Sequence, residues 1–337
     1  MLIKDIGEQG LLEIVKGFCP SEIVGDDAAI VSIPGDKSLV ITTDMLVDEV
    51  HFSDRTTSGI DVGWRCAAVN LSDLAAMGAL PLGITVALGI TGNKTVNWVE
   101  QLYQGLTTCL NQYHTPIVGG DICRSAVTCI SITAFGSVNP KLAIRRSVAR
   151  PGDVIIVTGY HGDSRAGLEL LLHPELGTEL TANQRLSLIQ AHQRPQPRLD
   201  VIPKLQTLLA THPDTIIAGM DSSDGLADAI VQICRASQVG ARIKSHQIPI
   251  SEALKTFVSP QQAVYWALYG GEDFQLVLSV PFNLAEILIQ QLGKTATIIG
   301  EITSNPDILL IDHAEPSTVE KLSLSRGFQH FSPITGS

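Results

Sequence analysis

Acidic residues beside glycine, serine or threonine recur at the predicted ends of apolar segments of this chain. Residues 39–41, for example, predict a buried strand that leads into two threonines and an aspartate. The polar residues at these ends, acids and two threonines, are Asp27, Thr42, Thr43, Asp44, Asp73, Asp121, Asp221, Asp224, Glu272 and Asp273. Clustered carboxylates repel one another unless a cation lies between them, and Mg²⁺ binds through a few carboxylates plus substrate phosphates. The pattern predicts a metal-dependent enzyme of phosphoryl transfer.

Several of these acids also have a purely structural explanation. Asp27 follows Gly25 and Asp26 in a predicted turn, and one acid of 221–224 can cap the helix predicted to follow. Asp73 is harder to explain structurally, because its predicted helix consists mostly of small apolar residues and carries no basic residue except Arg65. Arg145 and Arg146 lie in a predicted linker, where they are either solvated or available to bind phosphate.

Familiar nucleotide-binding motifs do not account for a phosphate site. The Gly293-Lys294-Thr295 segment resembles the end of a phosphate-binding loop, but Leu288 occupies the position of the required upstream glycine. The segment also follows a predicted helix rather than a strand. If the protein binds ATP, it uses another arrangement.

The elements that must position these residues are read from periodicity and turn residues. Helices are predicted over 1–20, 62–77 (with Asp61 as the cap), 95–112, 165–173, 199–210, 226–237 and 284–292. Strands are predicted over 39–41, 83–90, 115–118, 127–138, 154–158, 216–219, 275–280 and 296–302. A linker over 139–153 separates two predicted domains, in keeping with a length of 337 residues.

Composition excludes some classes of function. The formal net charge of −11 argues against a nucleic-acid partner, because phosphate backbones require a basic surface. No apolar run is long enough for a membrane span, and no signal peptide is recognisable at the amino terminus. The six cysteines have neither disulfide-framework nor zinc spacing. We therefore expect a cytoplasmic protein with buried, reduced thiols.

Taken in order, the motifs resemble those of the thiamine-monophosphate kinase family. They are GDDAA at 25–29, TTDMLV at 42–47 with His51-Phe52, AVNLSDLAAMGA at 68–79, GGD at 119–121, DSSDGL at 221–226 and GGEDF at 270–274. Two departures are visible: Ser222 stands where an apolar residue is more frequent, and Phe274 where tyrosine is frequent. Neither removes a predicted ligand.

The resemblance implies an α/β (α+β) protein of the aminoimidazole ribonucleotide synthetase-like superfamily, with mixed sheets flanked by helices. It implies domains over 1–140 and 150–310, a tail over 311–337 that contributes to the substrate site, and a homodimer formed through the amino-terminal domains. The implied reaction is ATP-dependent phosphorylation of thiamine phosphate to thiamine diphosphate, the last step of thiamine diphosphate biosynthesis.

The resemblance also implies roles for individual residues. Several Mg²⁺ ions would be bound by Asp27, Thr42, Thr43, Asp44, Asp73, Asp121, Asp221 and Asp224. ATP would contact Tyr103, Gly120, Asp121, Arg146 and Ser223, and thiamine phosphate would contact His51, Glu272 and Phe328. No motif pairs a nucleophile with a base, so we expect direct in-line transfer without a catalytic nucleophile.

Two other readings remain open on the residues alone. A superfamily relative that makes a phosphoramidate-type or selenium-phosphate product is the nearest enzymatic alternative, although Cys19 is isolated and has no glycine-rich loop around it. A non-catalytic module that binds nucleotide and metal is the alternative of a different class. The number of intact acids argues against that module.

Overall fold

The structure is a computed structural model that describes residues 35–293, 296–312 and 319–323, together with Ile14, Gly17, Phe18, Ile33, Arg326 and Gly327. The GDDAA segment with Asp27, the rest of the predicted helix over 1–20, Cys19 and Phe328 lie outside the described residues. The chain divides into two compact units. Unit 1 comprises Met1–Ile144, Leu168–Pro174 and Gln193–Thr215, and unit 2 comprises Arg145–Gly167, Glu175–His192 and Ile216–Ser337.

The described chain contains both strands and helices. The strands are β1 (Ser38–Val47), β2 (Leu80–Ile90), β3 (Ile117–Arg124), β4 (Cys129–Val138), β5 (Asp153–Thr158), β6 (Ala218–Asp221), β7 (Gly240–Lys244), β8 (Leu276–Pro281), β9 (Ala296–Thr303), β10 (Ile308–Ile311) and β11 (Val319–Lys321). The α-helices are α1 (Gly59–Ala76), α2 (Val96–Asn111), α3 (Asp163–Leu172), α4 (Ala182–Gln193), α5 (Ile202–Thr211), α6 (Leu226–Ser237), α7 (Glu252–Phe257), α8 (Pro260–Tyr269) and α9 (Phe282–Leu292). Short 3₁₀ turns lie at Pro140–Leu142, Arg146–Val148, Arg198–Asp200 and Ser245–Gln247.

In unit 1 the described strands form a sheet in the order β1-β4-β2-β3. β1 pairs antiparallel with β4 over its whole length, from Ser38 opposite Val138 to Val47 opposite Cys129. The prediction that a strand ends at residue 41 is therefore wrong, and the following threonines and aspartate lie in the middle of β1. Pairing with β4 satisfies part of the backbone of these polar residues, the Asp44 N–H is bound by the Asn70 side chain, and the side chains alternate between the two faces.

Helix α1 begins earlier than the sequence predicts, and its cap is Ser58 rather than Asp61. The Ser58 hydroxyl accepts a hydrogen bond from the Asp61 backbone N–H at 3.3 Å, while the Asp61 carboxylate accepts from the Ser58 backbone N–H at 3.4 Å. This reciprocal pair is a capping box, in which the acid stands three residues inside the helix. Asp61 is also paired with Arg194 at 2.7 Å.

Two glycines allow α1 and α2 to pack with their backbones close together. A Cβ on Gly63 would lie 1.9 Å from the Leu102 carbonyl oxygen, and a Cβ on Gly105 would lie 1.9 Å from the Ile60 carbonyl oxygen. Both positions therefore require glycine. The other positions of α1 are almost all buried, as its small apolar composition predicts.

Unit 2 is built on a larger mixed sheet, whose described strands follow the order β11-β10-β7-β9-β5-β8-β6. All six residues of β5 are buried, and α6 contributes Leu226, Ile230 and Ile233 to the same core. The strands β5, β6, β8 and β9 and the helices α3, α6 and α9 were predicted within a few residues. The elements α4, α7, α8, β7, β10 and β11 were not predicted.

No helix among the described residues combines the length and the hydropathy needed to cross a bilayer.

Candidate functional site: two acidic clusters

The first cluster lies in unit 1, where β1 faces α1. The Thr42 hydroxyl donates a hydrogen bond to the Asp73 carboxylate, which joins the middle of the strand to the last turns of the helix. One residue further along this face, the Asp44 backbone N–H donates to the side-chain oxygen of Asn70 at 3.1 Å. Asn70 is fully buried and donates in turn to the Cys66 carbonyl at 3.0 Å. Asn70 thus ties the backbone at Asp44 to α1, the helix that also carries Asp73.

The other predicted unit 1 ligands are not all on this side. Thr43 and Asp121 are exposed and belong to the rows of side chains on the opposite face of the sheet, because Thr43 pairs with Thr133 and Asp121 pairs with Ala87. Paired residues in a sheet point to the same face. The predicted strand end at residue 118 is also wrong, since β3 continues through the GGD segment to Arg124.

Within the part of the chain that the structure describes, no three His, Cys, Asp or Glu side chains converge closely enough to hold a metal ion. The hydroxyl of Thr42 and the amide of Asn70 lie among the acids of the first cluster instead. Asp27, the remaining predicted ligand of unit 1, lies outside the described residues. The donors on the α1 side of the sheet are all oxygens, the type that Mg²⁺ prefers.

His51 is held in one orientation beside β1. Its Nδ1 accepts a hydrogen bond from the Val47 backbone N–H at 3.0 Å. The neutral imidazole must then carry its proton on Nε2. The neighbouring Phe52 is buried and stacks on Trp98 with ring centroids 6.4 Å apart, which anchors the turn.

The second cluster lies in unit 2, in the loop between β6 and α6. Asp221 is the last residue of β6 and accepts a hydrogen bond from the Ser223 hydroxyl at 3.1 Å. The N-cap of α6 is Gly225, which makes no side-chain cap bond. The expectation that an acid of this loop caps the helix is therefore wrong.

Gly225 lets the loop turn into the helix. Its φ of +107° is open mainly to glycine, and an added Cβ would lie 2.7 Å from the Leu268 carbonyl oxygen. With the cap provided by a glycine, the carboxylates of Asp221 and Asp224 are not used to begin α6.

A second loop, 270–275, lies against the first one. The Glu272 backbone N–H donates to the Ser223 carbonyl at 2.6 Å, and Glu272 itself has a positive φ of 60°. Non-glycine residues adopt this conformation rarely, and they do so most often where surrounding contacts hold them at functional sites.

Asp273 anchors this loop to the start of α3. Its carboxylate accepts hydrogen bonds from the backbone N–H groups of Gly162 at 2.7 Å and Ser164 at 3.1 Å, at the start of α3. Complete burial raises the pKa of Asp273 to about 8, although the two N–H groups lower it. Burial likewise raises the pKa of the nearby Asp163 to about 6, against the hydrogen bond from Ser251.

Comparison with known proteins identifies the family. Residues 25–138 match the profile of the AIR synthase related protein, N-terminal domain, and residues 150–313 match that of the C-terminal domain. The thiamine-monophosphate kinase of Synechococcus elongatus is 48% identical over 329 residues, which cover 98% of each chain. The chain belongs to the thiamine-monophosphate kinase family.

Solved structures of the family share its fold. The thiamine-monophosphate kinase of Stenotrophomonas maltophilia superposes with a TM-score of 0.78 at 31% identity, over 91% of this chain and 96% of that one. The structure of AaThiL complexed with AMPPCP and TMP superposes with a TM-score of 0.73 at 32% identity, over 98% and 99% of the two chains. The expected two-domain α/β architecture with helices flanking mixed sheets is confirmed.

Three further positions were assigned to the nucleotide by resemblance to this family. Tyr103 is only 2% exposed, and its ring lies 5.6 Å from that of Phe18, so in this structure it packs inside unit 1. Gly120 is exposed, but a Cβ there would lie 2.1 Å from the Val86 carbonyl oxygen, which is a structural reason for glycine. Arg146 is exposed at the edge of unit 2.

Two side chains that support the clusters, Asn70 and His192, are not among the site residues predicted from the sequence. Asn70 had a detectable signal, since it lies three residues before Asp73 on the same face of a helix. His192 had none. It stands alone in the polar region between predicted elements, and only the structure brings it to Glu272.

Proposed function

We propose that this protein transfers the terminal phosphate of ATP to thiamine phosphate and so forms thiamine diphosphate. The observation that carries the proposal is the similarity, over nearly the whole chain, to AaThiL, whose structure was solved with AMPPCP and TMP. The full-length similarity to the enzyme of Synechococcus elongatus supports the same reaction.

We assign several Mg²⁺ ions to the two clusters. In unit 1 the ligands would be Asp27, Thr42, Thr43, Asp44, Asp73 and Asp121, and in unit 2 they would be Asp221 and Asp224. The donors beside α1 are oxygens, and the carboxylates before α6 do not cap that helix. Both sets fit a hard divalent cation. When bound, Mg²⁺ supplies neutralisation of phosphate charge. Thr42 orients Asp73 for this role.

The nucleotide would be held by Tyr103, Gly120, Asp121, Arg146 and Ser223. Support is strongest for Ser223, whose loop is held by Asp221 on one side and by the Glu272 backbone on the other. The exposed Arg146 guanidinium can approach phosphate oxygens in a bidentate manner. The burial of Tyr103 favours a packing role.

The acceptor would be bound by His51, Glu272 and Phe328. Glu272 would complement the positive charge of the thiazolium ring, and an aromatic residue would offer a π face. His51 can donate from Nε2, because its Nδ1 accepts from Val47. The acceptor phosphate is itself the nucleophile, so we propose direct transfer; labelled phosphate trapped on the protein after incubation with labelled ATP alone would contradict it.

We also propose a homodimer formed through unit 1. Among the described strands β1 lies at the edge of its sheet, and one of its faces exposes Leu39, Ile41 and Met45, each more than two-fifths accessible. An apolar face on an edge strand favours association with a second copy of the chain. Sedimentation at several concentrations tests this assembly, and Ile41→Lys is expected to shift it towards the monomer.

A cytoplasmic location is proposed on the chemistry of the thiols. The five described cysteines are all free, and Cys66, Cys109 and Cys234 are buried. Unpaired thiols are typical of reducing compartments.

The deciding experiment measures ADP release by the purified protein with ATP, Mg²⁺ and either thiamine phosphate or thiamine. We expect turnover with thiamine phosphate and little with thiamine, because removing the phosphate removes the nucleophile. Equal rates with both acceptors would identify a hydroxyl kinase, and no turnover with either would reject the proposal.

A further inference from the structure

His192 is a buried imidazole that faces the carboxylate of Glu272. It lies near the end of α4 and is 3% exposed. Its Nδ1 is 3.5 Å from Oε2 of Glu272 and 3.3 Å from the Ser164 hydroxyl. We assign the ring hydrogen to Nδ1, because a nitrogen lone pair at that position would face the negative Glu272 carboxylate.

The position of His192 is set by close packing of α4 on α3. A Cβ on Gly167 would lie 2.1 Å from the Leu188 carbonyl oxygen and 3.0 Å from the His192 Cβ. Because α3 carries a glycine here, the helices approach closely enough for His192 to reach Ser164 and the neighbouring loop. Packing alone does not require an imidazole, since leucine would fill a similar volume without a polar group to desolvate.

Glu272 is also held through its backbone. Its N–H donates to the Ser223 carbonyl, and its φ is positive, at 60°. The Glu272 side chain is 35% exposed, so it is reachable from solvent while its Oε2 contacts the buried His192. A flexible glutamate held in this way loses less conformational freedom when it binds a cation.

We propose that His192 is a positioning residue that fixes the Glu272 carboxylate for recognition of the cationic ring of the acceptor. This inference rests on the proposed function, because it assigns Glu272 to the thiamine phosphate site. His192 does not touch the acceptor or the transferred phosphate, and it acts only through the glutamate. Its loss should therefore weaken acceptor binding and leave ATP binding and the chemical step nearly unchanged.

The test compares steady-state kinetics of His192→Leu, His192→Asn, Glu272→Gln and the double variant His192→Leu/Glu272→Gln. His192→Leu should raise KM for thiamine phosphate about fivefold to tenfold, as expected from the net contribution of one intramolecular hydrogen bond, with kcat and the KM for ATP changed by less than about twofold. His192→Asn places an amide donor near the former Nδ1 and should restore most of the affinity. In the Glu272→Gln background, His192→Leu should have almost no further effect.

Gln190→Ala, on the exposed side of the same helix, is the matched control and should leave all constants unchanged. An unchanged KM for thiamine phosphate in a folded His192→Leu protein would overturn the inference. Additive effects in the double variant, or a loss of kcat with no change of KM, would also overturn it.

A readout that does not depend on turnover separates this inference from the proposed function. In protein labelled with nitrogen isotope at histidine, the signal lost in His192→Asn identifies the His192 ring. Glu272→Gln should shift that signal even in a protein that fails to phosphorylate thiamine phosphate, which would reject the function but retain the contact. An unshifted His192 signal would reject the positioning contact itself.

Discussion

The two acidic clusters are held in different ways. In unit 1 the acids project from regular elements, where strand β1 and helix α1 bring Thr42 and Asp73 into contact through their side chains. In unit 2 Asp221 ends a strand and the other acids lie on irregular loops. The shape of these loops depends on residues with positive φ and on backbone hydrogen bonds such as that from Glu272 to Ser223. Because regular elements hold its acids, unit 1 should tolerate substitution of a predicted metal-binding side chain without losing its fold. Unit 2 should be sensitive to changes in the backbone itself.

The largest expected effect is on activity in unit 1. Asp73→Asn keeps an oxygen that can accept from Thr42 but removes the negative charge, so the fold should survive while turnover falls about 100- to 1000-fold. Asp44→Asn should behave in the same way. Activity is measured over a range of Mg²⁺ concentrations, and circular dichroism monitors the fold.

The matched control for these variants is Asp54→Asn, an exposed aspartate paired with Lys94 at 3.2 Å. It should retain nearly normal turnover, since isolated surface pairs contribute little. Near-normal turnover of folded Asp73→Asn at saturating Mg²⁺ would contradict the metal assignment. Unfolding of that variant would contradict the claim that regular elements alone hold this cluster.

An intermediate effect is expected on the loop of unit 2. Gly225→Ala forces a side chain into a conformation with φ of +107° and against the Leu268 carbonyl, so we expect a loss of about 1–3 kcal/mol from strain, increased by the contact. Turnover should fall as well, because the adjacent acids move with the backbone. Urea unfolding and ADP release provide the two measurements.

Gly152→Ala separates strain from contact. Gly152 also has a positive φ, of +94°, but an added Cβ there would meet nothing within 4 Å. The Gly152→Ala variant should lose stability through backbone strain alone and keep its turnover. Equal losses of stability in the two variants would show that the contact with Leu268 is unimportant.

A dependence of stability on pH is also expected, and it arises in unit 2. Burial in the folded protein raises the pKa of the Asp273 carboxyl from its ordinary value of 3.8 to about 8. Between these values the folded state retains a proton that the unfolded chain has released. This contribution is fully present below about pH 4 and is lost as the pH rises through about 8. Asp163, with a pKa of about 6, adds a slope of the same sign at lower pH.

Urea midpoints from pH 5 to 9 test this expectation, with pH values about one apart. Asp273→Asn should flatten the decline of the urea midpoint towards high pH. Asp214→Asn, at an exposed position, should leave this decline as in the unsubstituted protein. A decline of unchanged slope in Asp273→Asn would show that the buried carboxyl is not its source.

Local patterns predicted the elements that depend on local interactions. The apolar, alanine-rich run of α1 and the amphipathic α6 were recognised, because their periodicity reports burial directly. The same patterns misplaced the ends of β1 and β3, since polar residues in a strand resemble a turn until their pairing partners are known. β1 continues because β4 pairs with it as far as Val47.

The same distinction between local patterns and tertiary contacts applies to the candidate site. The sequence by itself determined which residues are available for chemistry: carboxylates beside small residues, in the order typical of one family. Only the tertiary structure decided that Thr42 and Asp44 face α1 while Thr43 and Asp121 lie on the opposite face, because strand register assigns each side chain to a face. It likewise brought His192 to Glu272, 80 residues later in the chain, because helix packing determines contacts that no local pattern contains.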